Sequence, residues 1–401
     1  MEVTRKQMDI APTLTLKDIY GPQLVFNPRV SFEGIGWIPK DTILDDFRTG
    51  ALLPIAGDMP FVCNDRTVTE EALNLLKTAG ISPAPNQLVY DGKNSFYGLL
   101  ESLSSGQQKK VLNQPLPDSE VPPEKYWIDK EVFSYLNNKA NMGEIVPKEH
   151  LPKRMVVSPD ELVTVREKWT LPFVMKAGTD LPNGGGFDVV LCHTEEDFKR
   201  ASELLKDSQS IVIEEFIENK KNYCLQFAKT CDGQILYLGA GEQIISVSGR
   251  YKGNWISAED SPPKSAINLG RTIMEKACQL GYKGIAGFDI LITEDNRVLC
   301  IDLNFRLNGS TPALLLKDSI FSRHNNQDMM FKSWKIDRPW DEFHDICKSL
   351  VEDGSLIPLA IYHPETSGDS ENKPFINGIL IGNSKEEILQ KEQYLTEHGW
   401  K

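Results

Sequence analysis

The sequence predicts an α/β protein built from two or three domains. Three observations indicate this fold class. The chain of 401 residues is long enough for more than one buried core. Short apolar segments bounded by glycine and proline are interspersed with capped amphipathic segments, as strands and helices are in mixed folds. A β-hairpin with an uncommon set of polar side chains is predicted within residues 287–311.

The composition is that of an ordinary globular protein, with 40% hydrophobic and 25% charged residues. The formal net charge of −13 argues against nucleic acid or an anionic membrane as a partner. We expect no signal peptide and no membrane span, because no apolar run has the required length. Seven cysteines without a CxxC pair indicate reduced thiols and a cytoplasmic protein. A ligand phosphate would therefore need a local cluster of positive side chains.

The N-terminal third is predicted to begin as an α/β unit. Residues 67–80 start with threonine, carry acids in the first turn and end with glycine, which predicts a capped helix. Residues 91–125 are less regular, and the polar and proline-rich residues 104–110 and 115–123 predict loops. The other predicted elements are strands at 23–27 and 51–55 and a helix at 130–140.

A second unit is predicted to begin near residue 150. Ser158 is followed by proline and two acids, which is typical of a helix start. Asp232-Gly233 lies between two apolar runs and predicts a hairpin. The other predicted elements are strands at 173–176, 189–192, 210–216, 223–229, 235–238, 356–362 and 375–381, and helices at 194–205, 266–280 and 384–397.

The predicted hairpin in the last third carries the most informative side chains. A two-residue turn at 295–296 would place Asp289 opposite Asp302. Opposed Cβ atoms lie about 5 Å apart, and two carboxylates at that spacing repel by roughly 3 kcal/mol at an effective dielectric constant of about 20. Because strands have period two, Asn304 and Arg306 share the face of Asp302. The set suits a hard cation that bridges to phosphate. A purely structural role would need one aspartate protonated, or satisfied by Arg306 and backbone donors.

A strand-end lysine, Lys176, precedes a glycine-rich loop at residues 183–186. The lysine supplies positive charge, and glycines let backbone N–H groups approach phosphate oxygens. The segment is not a P-loop, because no Gly-Lys-Ser/Thr ends it and it leads into a strand. A plain glycine turn beside a surface lysine is the alternative interpretation.

Three weaker motifs each have an ordinary structural alternative. The acidic strand end at 214–218 could present backbone groups to an adenine edge, or could simply be solvated. Lys139 could bind phosphate, or could be only a helix-end lysine. Residues 241–254, which include Arg250, predict a mobile loop that recognises an acidic substrate or covers phosphates, or else an exposed loop without a role.

Taken in order, these motifs resemble the ATP-grasp superfamily over about residues 130–315. The family order is a first lysine, a strand lysine with a glycine loop, an acidic hinge strand and a final acid signature. The matching positions are Lys139, Lys176 with 183–186, 214–217, and Asp289, Asp302, Asn304 and Arg306. The resemblance implies an ATP-grasp fold with three parts. These are an N-terminal α/β domain at 1–130, a core at 131–330 (lid roughly 155–218, catalytic lobe roughly 219–330) and a C-terminal sub-domain at 331–401 that completes the catalytic lobe.

The resemblance also implies a role for each residue. ATP would be bound by Lys139, Lys176, Gly184, Gly185, Gly186, Glu214, Glu215, Phe216, Ile217, Glu218 and Asn222, with the backbone of Glu215 and Ile217 on adenine. One or two Mg²⁺ ions, with Mn²⁺ as a substitute, would be bound by Asp289, Asp302 and Asn304. Arg306 and Lys176 would be catalytic, and the substrate would contact Arg250, Arg306, Asn308 and Gly309.

Two positions depart from the family pattern. Asp289 stands where glutamate is usual, and its shorter side chain would shift the second metal ion or weaken its binding. Asn222 stands at the position that often binds ribose, so that Glu218 becomes another candidate.

The implied activity is that of an ATP-dependent carboxylate–amine ligase, which forms an amide or peptide bond through an acyl phosphate and releases ADP and phosphate. Residues 253–254 and 308–311 are most similar to ligases of amino acids and peptides, which implies small amino-acid-like carboxylate and amine substrates. No Met-Lys-Met biotin-attachment motif is present. The alternatives are a catalytically silent ATP-binding protein, an ATP-grasp carboxylase-type enzyme and a hydrolase that uses Asp289 and Asp302. A homodimer and a monomer are the alternatives for its assembly.

Overall fold

Three β-sheets organise residues 9–246, 249–324, 328–364 and 373–401, which are the residues that the computed structural model describes. None of the helices in these ranges is long and apolar enough to cross a bilayer. The α-helices are α1 (Leu16–Tyr20), α2 (Thr42–Thr49), α3 (Glu70–Thr78), α4 (Lys93–Ser105), α5 (Lys130–Asn137), α6 (Met142–Ile145), α7 (Leu162–Lys168), α8 (Glu195–Leu205), α9 (Lys264–Gln279), α10 (Thr311–His324), α11 (Trp340–Glu352) and α12 (Lys385–Glu397).

The first sheet is parallel and has the order β3-β2-β1-β4. Parallel neighbours need crossover connections, and α2, α3 and α4 lie in these connections. The predicted helix at 67–80 is confirmed as α3, which Thr69 caps. The strands are β1 (Leu24–Asn27), β2 (Phe61–Asn64), β3 (Gln87–Tyr90) and β4 (Lys109–Leu112).

Two predictions for this part of the chain were wrong. The strand predicted at 51–55 is a 3₁₀ turn at Gly50–Leu52 followed by further turn, because its short apolar run packs into the core as a compact loop. The loop predicted at 104–110 overlaps the end of α4 and the start of β4, where the stem of Lys110 is buried.

The second sheet is antiparallel, has the order β5-β8-β6-β7 and is called the lid sheet here. Together with α7 and α8 it encloses a hydrophobic core of its own, which includes Val165, Phe173 and Ile213. The predicted strands and the helix at 194–205 are confirmed in this part. The strands are β5 (Arg154–Val157), β6 (Phe173–Gly178), β7 (Val189–Cys192) and β8 (Ser210–Glu215).

The third and largest sheet is antiparallel and has the order β13-β12-β9-β10-β11-β14-β16-β15. Its hydrophobic core is continuous with that of the first sheet. The predicted hairpin around Asp232-Gly233 and the two strands after residue 350 are confirmed. The strands are β9 (Lys221–Lys229), β10 (Ile235–Ile245), β11 (Tyr251–Ser257), β12 (Gly284–Ile292), β13 (Val298–Asn304), β14 (Asp328–Lys335), β15 (Leu356–Tyr362) and β16 (Phe375–Ile381).

The mobile loop predicted at 241–254 was wrong for most of its length. Residues 241–245 continue β10, and β11 begins at Tyr251; residues 247–248 lie outside the described ranges. Gly253, which suggested a loop, is required by packing inside the sheet. Its φ is +151°, and a Cβ there would collide with the carbonyl oxygen of Phe331 on the neighbouring strand.

The predicted pairing of Asp289 with Asp302 is confirmed, although the turn differs from the prediction. Thr293 N–H donates to the Arg297 carbonyl at 3.1 Å, so three residues rather than two form the loop, with Asn296 at φ 62°. A β-bulge then inserts Ile301 as an extra residue, since Ile290 pairs with Cys300 and Asp289 with Asp302. The two one-residue offsets cancel.

Candidate active site

Oppositely charged side chains converge where the lid sheet meets β13. Lys139 Nζ lies 3.0 Å from Asp188 Oδ2 and 3.3 Å from Asp302 Oδ1. Lys176 Nζ, on β6, lies 2.6 Å from Glu214 Oε2 on β8. The lysine and glutamate side chains are each less than a tenth exposed. The structure thus brings the two predicted phosphate lysines next to one predicted metal ligand.

The bulge in β13 gives Lys176 a second partner. Ile301, the extra residue, accepts a hydrogen bond from Lys176 Nζ at 2.6 Å through its backbone carbonyl. In a regular strand that carbonyl would take part in the hydrogen-bond ladder between strands. A β-bulge leaves the extra residue unpaired, so its carbonyl is free to accept from Lys176. Lys176 therefore links the lid sheet to the large sheet directly beside Asp302.

Arg306 is held from two sides. Its Nη1 donates to Asn137 Oδ1 at 3.1 Å, and the same oxygen accepts from the Phe305 N–H at 3.0 Å. The glycine loop lies against the guanidinium, because a Cβ on Gly184, whose φ is +149°, would come 3.2 Å from Arg306 Nη2. Glycine at this position therefore allows the loop backbone to approach the positive charge.

Asp289 and Asp302 fit a site for a hard divalent cation. Asp289 Oδ1 is buried without a hydrogen-bond partner in the described structure, and Asp302 Oδ1 is buried beside Lys139 Nζ at 3.3 Å. Asn304 Nδ2 contacts Asp302 Oδ2 at 3.4 Å, which places the amide beside the pair. No group of three or more His, Cys, Asp or Glu side chains suited to a metal occurs within the described ranges. A Mg²⁺ ion here would thus need Asn304 and ligand oxygens as well, which is its usual mode of binding beside phosphates.

The two facing carboxyl groups differ in proton affinity. Burial and the nearby charge of Asp302 raise the pKa of Asp289 to about 6. Burial alone would also raise the pKa of Asp302, but Lys139, Lys176 and Arg306 together hold it below its usual value. Asp302 is therefore the permanent anion of the pair, and Asp289 is the one whose charge lacks compensation.

The hinge after β8 offers fewer backbone groups than predicted. Glu215 N–H donates to the Lys153 carbonyl at 2.9 Å, and its carboxylate accepts from the Lys153 N–H at 2.8 Å. For the edge of an adenine ring, Glu215 can therefore offer only its backbone carbonyl. The N–H of Ile217, which has no partner within the described residues, is the second backbone group of the hinge. Glu218 is exposed, and the ring of Phe216 lies 5.0 Å from that of His193.

The remaining predicted residues lie around this centre. Asn222 donates to Gln243 Oε1 at 3.2 Å on the sheet face of Asp289. Asn308 donates to the Arg306 carbonyl at 2.8 Å. Gly309 lies near Tyr251, because a Cβ on this glycine would be 3.6 Å from the Tyr251 hydroxyl. Arg250 is exposed at the tip of the β10–β11 hairpin, and its guanidinium lies 5.1 Å from the centre of the Phe187 ring.

Four contacts of the site were not predicted from the sequence. They are the carboxylate of Asp188, the amide of Asn137, the carbonyl of Ile301 and the guanidinium of Arg154, which lies 3.6 Å from Glu214 Oε1. Asp188 had a signal, because an acid only two residues after a phosphate-type glycine loop is unexpected on electrostatic grounds. The other three depend on tertiary packing and leave no local pattern.

Two family models match the chain. One describes the ATP-grasp part of L-aspartate–L-methionine ligase and matches residues 152–304. The other describes the N-terminal domain of the same ligase and matches residues 15–134. The resemblance drawn from the ordered motifs is confirmed.

Solved structures share the fold at low sequence identity. An ADP complex of N5-carboxyaminoimidazole ribonucleotide synthetase has a TM-score of 0.61 at 12% identity, over 94% of this chain and 98% of that one. The synthetase from Staphylococcus aureus with ADP has a TM-score of 0.58 at 12% identity, over 98% and 99%. The biotin carboxylase domain of 2-oxoglutarate carboxylase from Hydrogenobacter thermophilus has 0.53 at 13%, over 94% and 90%. The chain belongs to the ATP-grasp superfamily and is an ATP-dependent carboxylate–amine ligase for amino-acid-like substrates.

Proposed function

We propose that the enzyme joins L-aspartate to L-methionine, or to close analogues, in a reaction that forms ADP. The two family models carry that description and support the choice of substrates. The observation that carries the chemistry is the convergence of Lys139, Lys176 and Arg306 around Asp302, with Asp289 directly opposite. This arrangement brings three cationic side chains together in a protein whose net charge is −13.

The reaction has two steps. A carboxylate oxygen of the first amino acid attacks the γ-phosphorus of ATP, and the bond from that phosphorus to the β-phosphate oxygen breaks, which gives an acyl phosphate and ADP. The amino nitrogen of the second substrate then attacks the acyl carbon. The carbon–oxygen bond to phosphate breaks, and inorganic phosphate and a proton leave. Neither step needs a side-chain nucleophile, because positioning and charge stabilisation do most of the work.

The residues present can divide this work. Lys139 and Lys176 would bind phosphate oxygens, and Arg306 would stabilise the transferring phosphoryl group and the acyl phosphate. The loop that contains Gly184 would cover the phosphates, since it already lies against Arg306. When bound, Mg²⁺ would neutralise phosphate charge, held by Asp289, Asp302 and Asn304; we propose one or two ions, with Mn²⁺ as a substitute.

The adenosine part of ATP would lie along the hinge. The carbonyl of Glu215 and the N–H of Ile217 are the groups for the adenine edge, and Phe216, which packs against His193, lies between these two residues in the chain. Asn222, whose Oδ1 is buried without a hydrogen-bond partner in the described structure, and exposed Glu218 are the candidates for ribose. Glu214 would act through Lys176 rather than on the nucleotide itself.

The substrate carboxylates would be gripped on the far side of the phosphates. Arg306 is the principal candidate, and Asn308 and Gly309 continue the same segment. Arg250 would join them from the tip of its hairpin when the glycine loop moves with Phe187.

We also propose the domain division 1–130, 131–330 and 331–401, a cytoplasmic location and a homodimer. The seven free cysteines support the location. The biotin carboxylase domain with the similar fold is a dimer, which supports the assembly. Sedimentation of the purified enzyme at several concentrations would test it, and a mass of 45.1 kDa throughout would count against a dimer.

The deciding experiment is ADP release with MgATP across a matrix of amino acids, with products identified by mass spectrometry. We expect release with L-aspartate plus L-methionine, and a dipeptide of matching mass. ADP release that needs bicarbonate instead of an amine would favour the carboxylase alternative. ATP binding without ADP release from any pair would favour a silent ATP-binding protein.

A further inference from the structure

A buried acid occupies the place where a phosphate would be expected. Asp188 follows the glycine loop and is 1% exposed. Its Oδ2 forms the 3.0 Å ion pair with Lys139, whose side chain is 5% exposed. Lys139 is the first lysine of the ATP-grasp order, so one of the two predicted phosphate cations is already neutralised inside the protein.

The position of Asp188 depends on the hairpin that carries the glycine loop. Its backbone carbonyl accepts from the Ala177 N–H at 2.9 Å, directly after Lys176 on β6. Lys139, by contrast, lies in a 3₁₀ turn before the lid sheet. The Asp188–Lys139 pair therefore ties the glycine loop to another segment of the chain, and movement of the loop would break it.

The space around Lys139 is closed in this arrangement. The cavity that Lys139 lines with Asp302, Leu136, Met142 and Leu303 has no room for a water molecule. Small-molecule pockets usually enclose 300–1,000 Å³. A phosphate can thus reach Lys139 only if groups around it move, and Asp188, which follows the glycine loop, is the group whose charge the phosphate would replace.

A buried ion pair is broken at low cost only when both charges find new partners. Lys139 would gain a phosphate oxygen and would keep Asp302, which contacts it from the opposite strand at 3.3 Å. Asp188 would return to water as the glycine loop moves outward. A phosphate can therefore replace Asp188 as a partner of Lys139, whereas Asp302 stays in contact with the lysine.

We propose that Asp188 is a positioning residue that substitutes for an ATP phosphate at Lys139 in the nucleotide-free enzyme, and that nucleotide binds by displacing it. The inference rests on the proposed phosphate role of Lys139. It assigns Asp188 a function in setting nucleotide affinity: the pair holds the glycine loop in place and weakens binding of ADP and ATP until their phosphates replace the carboxylate.

The test is the affinity for MgADP, measured by titration calorimetry on the full chain. Asp188→Asn should bind MgADP on the order of tenfold more tightly than the unmodified enzyme, because close buried charge pairs carry coupling of at least that size. Asp180→Asn is the matched control, since Asp180 lies on the same connection and accepts only from Asn138 Nδ2, at 2.9 Å, within the described contacts. Its affinity should be unchanged. Equal or weaker binding by Asp188→Asn would overturn the inference.

Two further arms separate the possible failures. If the unmodified enzyme itself does not bind MgADP, the proposed nucleotide site fails, and not merely the role of Asp188. A crystal structure of the unmodified enzyme with MgADP does not depend on any variant. We expect a phosphate oxygen on Lys139 Nζ and Asp188 beyond about 4 Å, the limit of an ion pair. A persisting Asp188–Lys139 pair in that complex would refute the displacement.

Discussion

Replacing each of the two facing aspartates by asparagine should have opposite effects on stability: Asp289→Asn should stabilise the protein and Asp302→Asn should destabilise it. Asp289 and Asp302 pair across β12 and β13, yet the cations lie nearer to Asp302. Burial and the charge of Asp302 raise the pKa of Asp289 from 3.8 to about 6. Burial acts on Asp302 too, but Lys139 and its neighbours hold the pKa of Asp302 below 3.8.

The sign follows from the protons that each state binds. For Asp289 the folded protein holds a proton that the unfolded chain releases, so ionisation of this group costs stability. The cost is absent below pH 3.8, grows as the pH rises toward 6 and is constant above. It amounts to at most about 3 kcal/mol at pH 7.5 and roughly half as much at pH 5, because the pKa of Asp289 in the folded protein is about 6. Asp289→Asn removes this cost with little change in volume.

For Asp302 the sign is reversed. A lowered pKa contributes stability that is present above the unfolded pKa of 3.8 and is lost as the pH falls through the folded value. Asp302→Asn removes that contribution and leaves Lys139 with Asp188 as its acidic partner. This variant should therefore be less stable than the unmodified enzyme at pH 7.5.

The assay is the thermal unfolding midpoint of the nucleotide-free proteins at pH 7.5 and pH 5. We expect Asp289→Asn to unfold at a higher temperature than the unmodified enzyme, by a margin that shrinks at pH 5, and Asp302→Asn to unfold at a lower temperature at pH 7.5. MgADP should raise the midpoint of the unmodified enzyme more than that of Asp289→Asn, because the cation compensates the carboxylate. A lower midpoint for Asp289→Asn at pH 7.5, or a margin that widens at pH 5, would refute the reasoning.

Three further outcomes are expected. Arg306→Ala should lower kcat at least about 100-fold, as loss of a transition-state charge contact does. Arg297 is an exposed arginine of the same hairpin, so Arg297→Ala should leave turnover unchanged. Equal kcat values for the two variants would contradict the assignment of the site. Gly287→Ala should disturb Asn308, because the new Cβ would lie 2.5 Å from its Nδ2, and should raise KM for the amino acids, whereas Gly143→Ala, with nothing within 4 Å, should not. Chelation of divalent cations should stop ADP release, and added Mg²⁺ or Mn²⁺ should restore it. ADP release that continues in excess chelator would contradict the proposed metal site at Asp289, Asp302 and Asn304.

The elements that the sequence predicted well are those with local end signals. The helix after Thr194 begins where the threonine side chain accepts from Asp197 N–H at 3.1 Å, and Gly233 takes the positive φ of 94° that its hairpin requires. The four-residue strands of the first sheet were mostly missed. Such short buried strands carry too few residues for a periodic pattern, and their pairing is decided by the rest of the core.

The site was predictable as an ordered set of charged residues, but their partners were not. Lys139 and Lys176 were predicted as phosphate ligands, and the acids that neutralise them in this structure come from other segments, in Asp188 and Glu214. A local pattern records which residues share a strand or a loop. It does not record which buried charges from different segments of the chain compensate each other, because that depends on packing and desolvation.

The bulge at Ile301 is the feature on which the geometry of the site depends. If the ladder continued regularly from the three-residue loop, Asp289 would face Ile301 and Asp302 would face Phe288, whose side chain is fully buried. A slip of one residue moves every following side chain to the opposite face, so Asp302 and Asn304 would point into the core. The extra residue returns both to the face of Asp289 and aims the Ile301 carbonyl at Lys176. One irregularity in β13 therefore sets the carboxylate pair and anchors the lysine, which explains why a two-residue turn could predict the correct pairing for an incorrect reason.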